Sequence, residues 1–316
     1  MKYSLTHKSK QFFWLLIKLS IVFGCGYFIW LKLSSNNQLN FSSFYQKLTE
    51  NNIFSTKNIF LLLNFSLANW LLEIIKWKTL VGFVKNTSFT SAGIQSLASL
   101  TTSLITPNRI GEYGAKALYF RQSLRKKILS LNLIGNLHQL LATFFFGLFG
   151  LIYFVKSQNI YLNFTKKHCL FLGFFLAVVG GFFLWKRANS KKEIFKKYTL
   201  NLSKKQHLKI GSLSFLRYLI FAHQFYFLLL LFKAPISYVP AITAIGTLYL
   251  ISSIIPILSL FDAVLKGSIA VFIFTHLAVD TRTVLSITTL MWLLNFVIPA
   301  SIGSYFVLTF KPKLRP

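Results

Sequence analysis

The chain has 316 residues, of which 54% are hydrophobic and 17% aromatic, and its mean hydropathy is +0.57. Several apolar runs of about 20 residues are each long enough to cross a bilayer, so the composition indicates a polytopic, all-α membrane protein. The longest polar segment, residues 186–209, is too short to bury a core of its own, which excludes a separate soluble domain. We therefore expect residues 1–316 to form a single transmembrane domain.

The charge is strongly one-sided, with 35 lysines and arginines against 6 carboxylates and a formal net charge of +29. Basic residues cluster between the apolar runs, where the positive-inside rule places cytoplasmic loops, and we attribute most of them to membrane topology. The excess also suggests anionic partners. A nucleic-acid partner is not expected, because the aromatic residues that would stack on bases lie inside the apolar runs.

In chain order, the first half is predicted to contain three full spans, at about residues 11–32, 58–80 and 128–155. Between the second and third spans, two apolar arms meet at Pro107, which removes a backbone donor and restricts the preceding residue. Both arms, about residues 90–106 and then on to Arg121, are too short for the ~30 Å hydrocarbon core. Since basic residues flank their outer ends, we predict a re-entrant hairpin that opens toward the cytoplasm; the alternative is two short tilted spans.

This predicted hairpin has the densest group of charges at membrane depth. Arg109, Glu112 and Lys116 lie at positions i, i+3 and i+7, so they share one helix face, with Glu112 and Lys116 one turn apart. Gly111 and Ala115, four residues apart, leave a flat strip against which another backbone can pack. Ionised groups in a membrane are costly, so this cluster is the first candidate for a functional site.

A polar stripe follows in the next span. Asn132, Asn136, Gln139 and Thr143 lie at i, i+4, i+7 and i+11, which predicts a face that is turned toward the protein interior. The predicted polar lining of the site consists of Asn132, Asn136 and Gln139 from this stripe, together with Asn295 in the last span. His138 lies off the stripe and is interpreted as a packing or interface residue.

The second half repeats this plan, with predicted full spans at about residues 168–186, 211–232 and 284–309. Arg217 lies within the middle one of these spans. An apolar arm then runs to Pro256, and the segment after it, about residues 261–277, contains Asp262 and Lys266 one helical turn apart.

The two halves match at a nearly constant offset. The prolines that break the hairpins are 149 residues apart, and the acid–base pairs are 150 apart. Because the first half has three full spans, an odd number, the second half starts from the opposite side of the membrane. We therefore predict an inverted repeat with halves at about residues 11–155 and 168–310, whose hairpins enter from opposite faces.

Two interpretations of the acid–base pairs stay open. In the structural one, each pair is an internal salt bridge that neutralises a costly charge. In the functional one, an anionic head group competes for the paired lysines, Arg109 or Arg217, and cations outnumber acids in the apolar zone. Glu73, nearer the end of its span, is interpreted as a local partner of Lys76 and is not assigned to the site.

Motifs for catalysis are not recognised. The sequence has no His-Glu-x-x-His pair, no Gly-x-Ser-x-Gly elbow and no Walker loop, and its cysteines and histidines are scattered without metal-ligand spacing. We therefore expect neither an enzyme nor a metal or other cofactor. Transport without a nucleotide site would have to be passive or coupled to an ion gradient.

Residues 107–117, Pro-Asn-Arg-Ile-Gly-Glu-Tyr-Gly-Ala-Lys-Ala, resemble the first signature of the lysylphosphatidylglycerol synthase transmembrane family. The resemblance implies a flippase-like membrane protein that moves polar lipids or lipid-linked precursors between leaflets. It also implies that the family's Gly-Glu element falls on Gly111 and Glu112, and its basic neighbours on Arg109 and Lys116.

The second signature differs from the family pattern. No glycine follows Pro256, and Asp262 lies one residue farther from the proline than the family's acid does. The chain resembles a stand-alone member without the aminoacyltransferase domain, so lipid aminoacylation is not expected.

Together these observations predict a bacterial inner-membrane protein with six full spans, two re-entrant hairpins and both termini in the cytoplasm. The predicted substrate-binding residues are Arg109, Glu112, Lys116, Arg217, Asp262 and Lys266. The predicted function is the movement of an anionic polar lipid, or a lipid-linked precursor, between leaflets. The alternative is a non-catalytic accessory or scaffold protein in cell-envelope lipid synthesis, in which the buried pairs only stabilise the fold.

Overall fold

The structure is a computed structural model that describes residues 41–104, 106, 109–158, 202–255 and 262–310. Every regular element in these ranges is a helix. In chain order they are α1 (Phe41–Glu50), α2 (Thr56–Gly82), α3 (Phe89–Leu104), α4 (Ile110–Leu118), α5 (Gln122–Ser157), α6 (Lys204–Leu231), α7 (Tyr238–Ile254), α8 (Asp262–Thr275), α9 (Thr281–Trp292) and α10 (Ile298–Thr309). A π-helical segment, Leu293–Val297, joins α9 directly to α10.

Among the described residues, four helical segments are long and apolar enough to cross a membrane. They are α2, α5, α6 and the continuous helix Thr281–Thr309, which consists of α9, the π segment and α10. The chain is therefore a helical membrane protein. The spans predicted at residues 11–32 and 168–186 lie outside the described residues, as do Pro107 and Pro256.

Two of these spans begin earlier than the sequence predicted. Helix α5 starts at Gln122 rather than near residue 128, so the basic cluster expected in the preceding loop lies within its first turns. Helix α6 starts at Lys204 rather than near residue 211, because a serine–glutamine capping box satisfies its first backbone donors. Both extensions are polar turns, for which hydropathy gives no indication of a helix.

Each half contains two shorter helices that pack against each other, and we call them the first hairpin (α3 and α4) and the second hairpin (α7 and α8). Their lengths are 16 and 9 residues in the first, and 17 and 14 in the second. At 1.5 Å per residue each helix is shorter than the ~30 Å hydrocarbon core. Helix α4 ends before the predicted limit at Arg121, because the amides of Tyr119 and Phe120 turn back onto its last carbonyls.

The hairpins pack crosswise between the halves. Helix α3 lies against α10 in the last span of the second half, and α7 lies against α5 in the last span of the first half. Gly303 brings α10 onto the backbone oxygen of Leu97, while Gly150 brings α5 onto the backbone oxygen of Thr243. The two glycines are 153 residues apart, close to the offset that relates the predicted repeats.

Helices α2 and α6 form an antiparallel pair between the hairpins. Gln224 of α6 donates to the carbonyl of Leu62 in the first half of α2, whereas Arg217 contacts Glu73, eleven positions farther along α2. Residue numbers therefore increase in opposite directions along the two helices. These are the middle spans that the sequence assigns to the two halves.

The π segment follows from Pro299, which lies four residues beyond Asn295. Proline has no N–H, and its ring clashes with the carbonyl four residues earlier, so the Asn295 carbonyl loses its partner within the helix. That carbonyl accepts a hydrogen bond from Trp70 Nε1 at 3.2 Å, and Ser66 Oγ donates to the Leu294 carbonyl at 2.7 Å. Helix α2 is thereby bonded to the backbone of the last span.

We expect Gly303→Ala to destabilise the fold, because the added Cβ would meet the Leu97 carbonyl and the Thr101 hydroxyl. Overpacking of this kind costs about 1–3 kcal/mol. The control is Gly114→Ala, where nothing lies within 4 Å of an added Cβ. Thermal unfolding in detergent should give a lower Tm for the first variant and an unchanged or higher Tm for the second. Equal Tm values would contradict a tight contact between α3 and α10.

Candidate functional site

A cavity of about 240 Å³, here called the central cavity, lies between the two hairpins. Its lining comes from α2, α3, α5, α6, α7, α8 and the π segment, together with the residue that precedes α4. Its charged lining residues are Arg109, Arg217, Asp262 and Lys266. The structure thus brings predicted site residues from both hairpins and from α6 to one space.

Asp262 and Lys266 of the second hairpin form the ion pair that their one-turn spacing predicts. The Lys266 ammonium lies 2.7 Å from Asp262 Oδ2 and 5.4 Å from the centroid of the Phe296 ring. The two side chains are 21% and 24% exposed, so the pair is open to the cavity. An ammonium has three donors, and a single bond to Asp262 leaves the others for a ligand.

Arg109 reaches the cavity from the start of α4. It is the N-cap residue and has a left-handed φ of 58°, which costs a non-glycine residue roughly 1–2 kcal/mol. Its Nη2 lies 2.9 Å from Glu112 Oε2, and its buried Nε has no hydrogen-bond partner among the described residues. The side chain is nevertheless 39% exposed, so Arg109 keeps donor capacity at the cavity.

Gly111 allows α4 to pack closely against α3. A Cβ at this position would lie 2.5 Å from the Thr102 carbonyl oxygen and 2.8 Å from the Thr106 hydroxyl. The Gly111 amide also donates to that hydroxyl at 2.8 Å. These contacts fix the first turn of α4, and with it the position of Arg109.

Glu112 and Lys116 also form an ion pair, but neither residue lines the cavity. Lys116 Nζ lies 2.7 Å from Glu112 Oε1, donates to Asn132 Oδ1 at 2.9 Å and lies 4.3 Å from the centroid of the Trp77 ring. The side chains of Lys116 and Glu112 are only 2% and 4% exposed, respectively. This lysine is surrounded by partners, so the structure does not present it to a ligand.

Glu73 joins these groups, although the sequence assigned it only a local partner. Lys76 does lie 2.7 Å from its carboxylate, but Arg217 Nη1 is equally close and Lys116 lies 3.9 Å away. Glu73 therefore pairs with cations from α2, α4 and α6. Its residue type alone could have identified Glu73 as a member of the cluster, since a carboxylate in an apolar span requires a compensating positive charge. Its distant partner could not be found from local spacing, because the two are 144 residues apart.

Arg217 connects this network to the cavity. Its Nε donates to Asn69 Oδ1 at 2.9 Å, and its Nη1 donates to Glu73 at 2.7 Å. Its Nη2 has no hydrogen-bond partner in the described parts of the chain, and the side chain is 18% exposed. One edge of the guanidinium therefore remains available to a ligand.

Part of the polar stripe of α5 lines the cavity, and the rest lies outside it. Gln139 lines the cavity and donates to the Ser214 carbonyl of α6 at 3.3 Å. Asn132 is buried and accepts from Lys116, while Asn136 donates to the Tyr113 hydroxyl at 2.9 Å. The stripe does face the protein interior, and two of its four members, Gln139 and Thr143, line the cavity.

Asn295 of the π segment lines the cavity and forms hydrogen bonds with the amide side chains of two other helices. Its Oδ1 accepts from Asn69 at 3.0 Å, and its Nδ2 donates to Gln224 at 2.9 Å. Because Asn69 also accepts from Arg217, this network fixes the orientation of the cation.

The charges around the cavity do not cancel. In the described residues, five cations face three carboxylates, which leaves two positive charges in excess. The cations are Lys76, Arg109, Lys116, Arg217 and Lys266, and the carboxylates are Glu73, Glu112 and Asp262. An uncompensated positive charge in a low-dielectric region attracts an anion.

No histidine in the described ranges lines the central cavity. His138 stacks on His207 of α6, with ring centroids 5.2 Å apart, and so forms a contact between helices. The described ranges contain no group of three His, Cys, Asp or Glu side chains that could hold a metal ion.

No protein-family model, curated protein or solved structure that we compared with the chain matches it. The functional argument therefore rests on the central cavity, its charges and the helices that position them.

We expect Glu73→Gln to lower stability, because it leaves Lys76 and Arg217 without their counter-charge. Removing one partner of a buried ion pair costs about 3–5 kcal/mol. Thermal unfolding in detergent measures the effect, with Glu50→Gln, an exposed position on α1, as the control.

A double variant, Glu73→Gln with Lys76→Gln, restores the charge balance and should recover part of the lost stability. If Glu73→Gln instead unfolds at the wild-type temperature, this carboxylate does not hold the cluster together.

Proposed function

We propose that the chain is a flippase-like transporter of a bacterial inner membrane, which moves an anionic polar lipid or a lipid-linked precursor between leaflets. The observation that carries this proposal is the central cavity, where both hairpins and α6 present charged side chains with a positive excess. The resemblance of residues 107–117 to the lysylphosphatidylglycerol synthase transmembrane family favours the same function.

The proposal includes an inverted repeat whose hairpins are re-entrant and open toward opposite faces. Three features support it: the hairpins pack crosswise on the last spans, α2 and α6 are antiparallel, and the contact glycines Gly150 and Gly303 are 153 residues apart. With the spans predicted at residues 11–32 and 168–186, the repeat has six full spans. The basic loops then place both termini in the cytoplasm.

The three lining cations have different roles in this mechanism. Arg217 is held by Glu73 and Asn69 and offers a fixed guanidinium edge, which suits the oxygens of a phosphate. Lys266 has only Asp262 as its ionic partner in the described residues, so an anionic head group can take the ammonium by displacing that carboxylate. Arg109 adds donors from the first hairpin.

The cavity has room for a polar head group, with a volume of about 240 Å³. In the proposed mechanism the acyl chains remain in the lipid while the head group crosses. Aromatic side chains, among them Trp70 and Tyr249, form the remainder of the wall.

A scaffold role in cell-envelope lipid synthesis is the second candidate, and one observation favours it. The Glu112–Lys116 pair is sealed from the cavity and is explained by stability alone. A scaffold needs no accessible cation, so the open Asp262–Lys266 pair distinguishes the two functions.

The test is exchange of a fluorescent anionic phospholipid between leaflets of vesicles that contain the purified protein. Lys266→Met should slow exchange about tenfold or more, because a charge-assisted hydrogen bond is worth ~1.5–3 kcal/mol. Lys209→Gln, an exposed position on α6, is the control and should exchange lipid at the wild-type rate.

The double variant Asp262→Asn with Lys266→Met separates transport from scaffolding. Removing both partners of a pair leaves stability nearly unchanged, yet a transporter would lose exchange. Wild-type protein that exchanges lipid no faster than empty vesicles contradicts transport, and chemically altered lipid in the same vesicles would indicate an enzyme.

A further inference from the structure

A second cavity, of about 420 Å³, lies toward the opposite end of α3 from the first-hairpin tip. The loop before α3, the end of α4 and the end of α10 enclose it. Leu100 of α3 lines the central cavity, whereas Ser91 of the same helix lines the second one, about 14 Å away along the axis. The described linings of the two cavities have no residue in common.

The lining of the second cavity is polar on one side and aromatic on the other. Its hydroxyl and amide side chains belong to Asn86, Thr87, Ser88, Ser91, Gln95 and Thr309. Lys85 is the charged residue of the described lining, which contains no carboxylate. On the aromatic side, the rings of Tyr119 and Phe310 lie 4.6 Å apart.

Gln95 presents an amide donor to this cavity. The residue is 6% exposed, and Trp77 Nε1 donates to its Oε1 at 2.8 Å. An indole N–H can only donate, so the amide oxygen faces Trp77 and the amide nitrogen is turned away from it. Within the described ranges no acceptor bonds that nitrogen. The amide nitrogen can therefore donate to a ligand that lies in the cavity.

The start of α3 adds positive potential on the same side. Ser88 caps the helix, because its Oγ accepts from the Ser91 amide at 3.2 Å. The first amides of a helix carry a partial positive charge that favours anions. Lys85, which is exposed at the mouth of the cavity, supplies a full charge beside them.

We propose that the second cavity binds a phosphate ester that bears hydroxyl groups. Lys85 and the start of α3 hold the phosphate, and Gln95 donates to one of its oxygens. The serine and threonine hydroxyls bond the hydroxyl groups of the ligand, and the aromatic wall packs against its carbon atoms. The ligand is either a lipid head group at the membrane surface or a free ester, and this site does not depend on transport through the central cavity.

Isothermal titration calorimetry of the full chain in neutral detergent tests this site with two probes, glycerol 3-phosphate and a short-chain phosphatidylglycerol. We expect at least one probe to bind, and Lys85→Gln and Gln95→Leu each to weaken binding about tenfold. Lys85 is exposed, so its substitution leaves the fold intact. The matched control is Lys78→Gln, an exposed lysine of α2 outside the lining, which should bind like the wild type.

Binding of the lipid alone assigns the site to a membrane head group, and binding of the free ester assigns it to a soluble ligand; both support the proposal. Absence of binding by both probes overturns it. The proposal is also overturned if Lys266→Met abolishes binding and Lys85→Gln leaves it intact, because the ligand would then lie in the central cavity. A Lys266→Met protein that loses lipid exchange but keeps binding separates this site from the proposed transport.

Discussion

The central cavity depends on the ion pairs that the Glu73 carboxylate forms. This carboxylate lies in a membrane-spanning helix, where an unpaired charge is very costly, and cations from three helices compensate it. Because α2, α4 and α6 each supply one of these cations, neutralising a single charge also fixes the first hairpin against the antiparallel pair α2 and α6. Arg217, which is held in this way, keeps one edge of its guanidinium for the cavity.

The two halves share a packing scheme but differ in their chemistry. Each hairpin packs on the last span of the other half, and a glycine in that span makes the contact. In the first hairpin the acid–base pair is sealed among side chains, whereas in the second it is open to the cavity. An acid–base pair with the same spacing of one helical turn therefore contributes stability in one half and accessible charge in the other. In the proposed transport mechanism, the bound anion displaces Asp262 in the open pair, while the sealed pair keeps the first hairpin in place.

Local spacing predicted the contacts that form within a single helix, such as the pair Asp262 and Lys266 and the inward face of α5. It did not predict contacts between distant segments. Glu73 and Arg217 are 144 residues apart, and no local pattern relates them. The π segment also depends on tertiary structure: Pro299 releases a carbonyl, but only the position of Trp70 on α2 provides its new donor.

In the proposed architecture, the two hairpins open toward opposite faces of the membrane and meet at a cationic cavity. Side-specific labelling of single cysteines tests it most directly, with Cys25 and Cys169 replaced by serine. Gln122→Cys follows the first hairpin and Ala278→Cys follows the second, and both positions are exposed. With an impermeant maleimide on intact cells, the account predicts labelling at position 278 and labelling at position 122 only after permeabilisation. Labelling of both positions from the same side would contradict it.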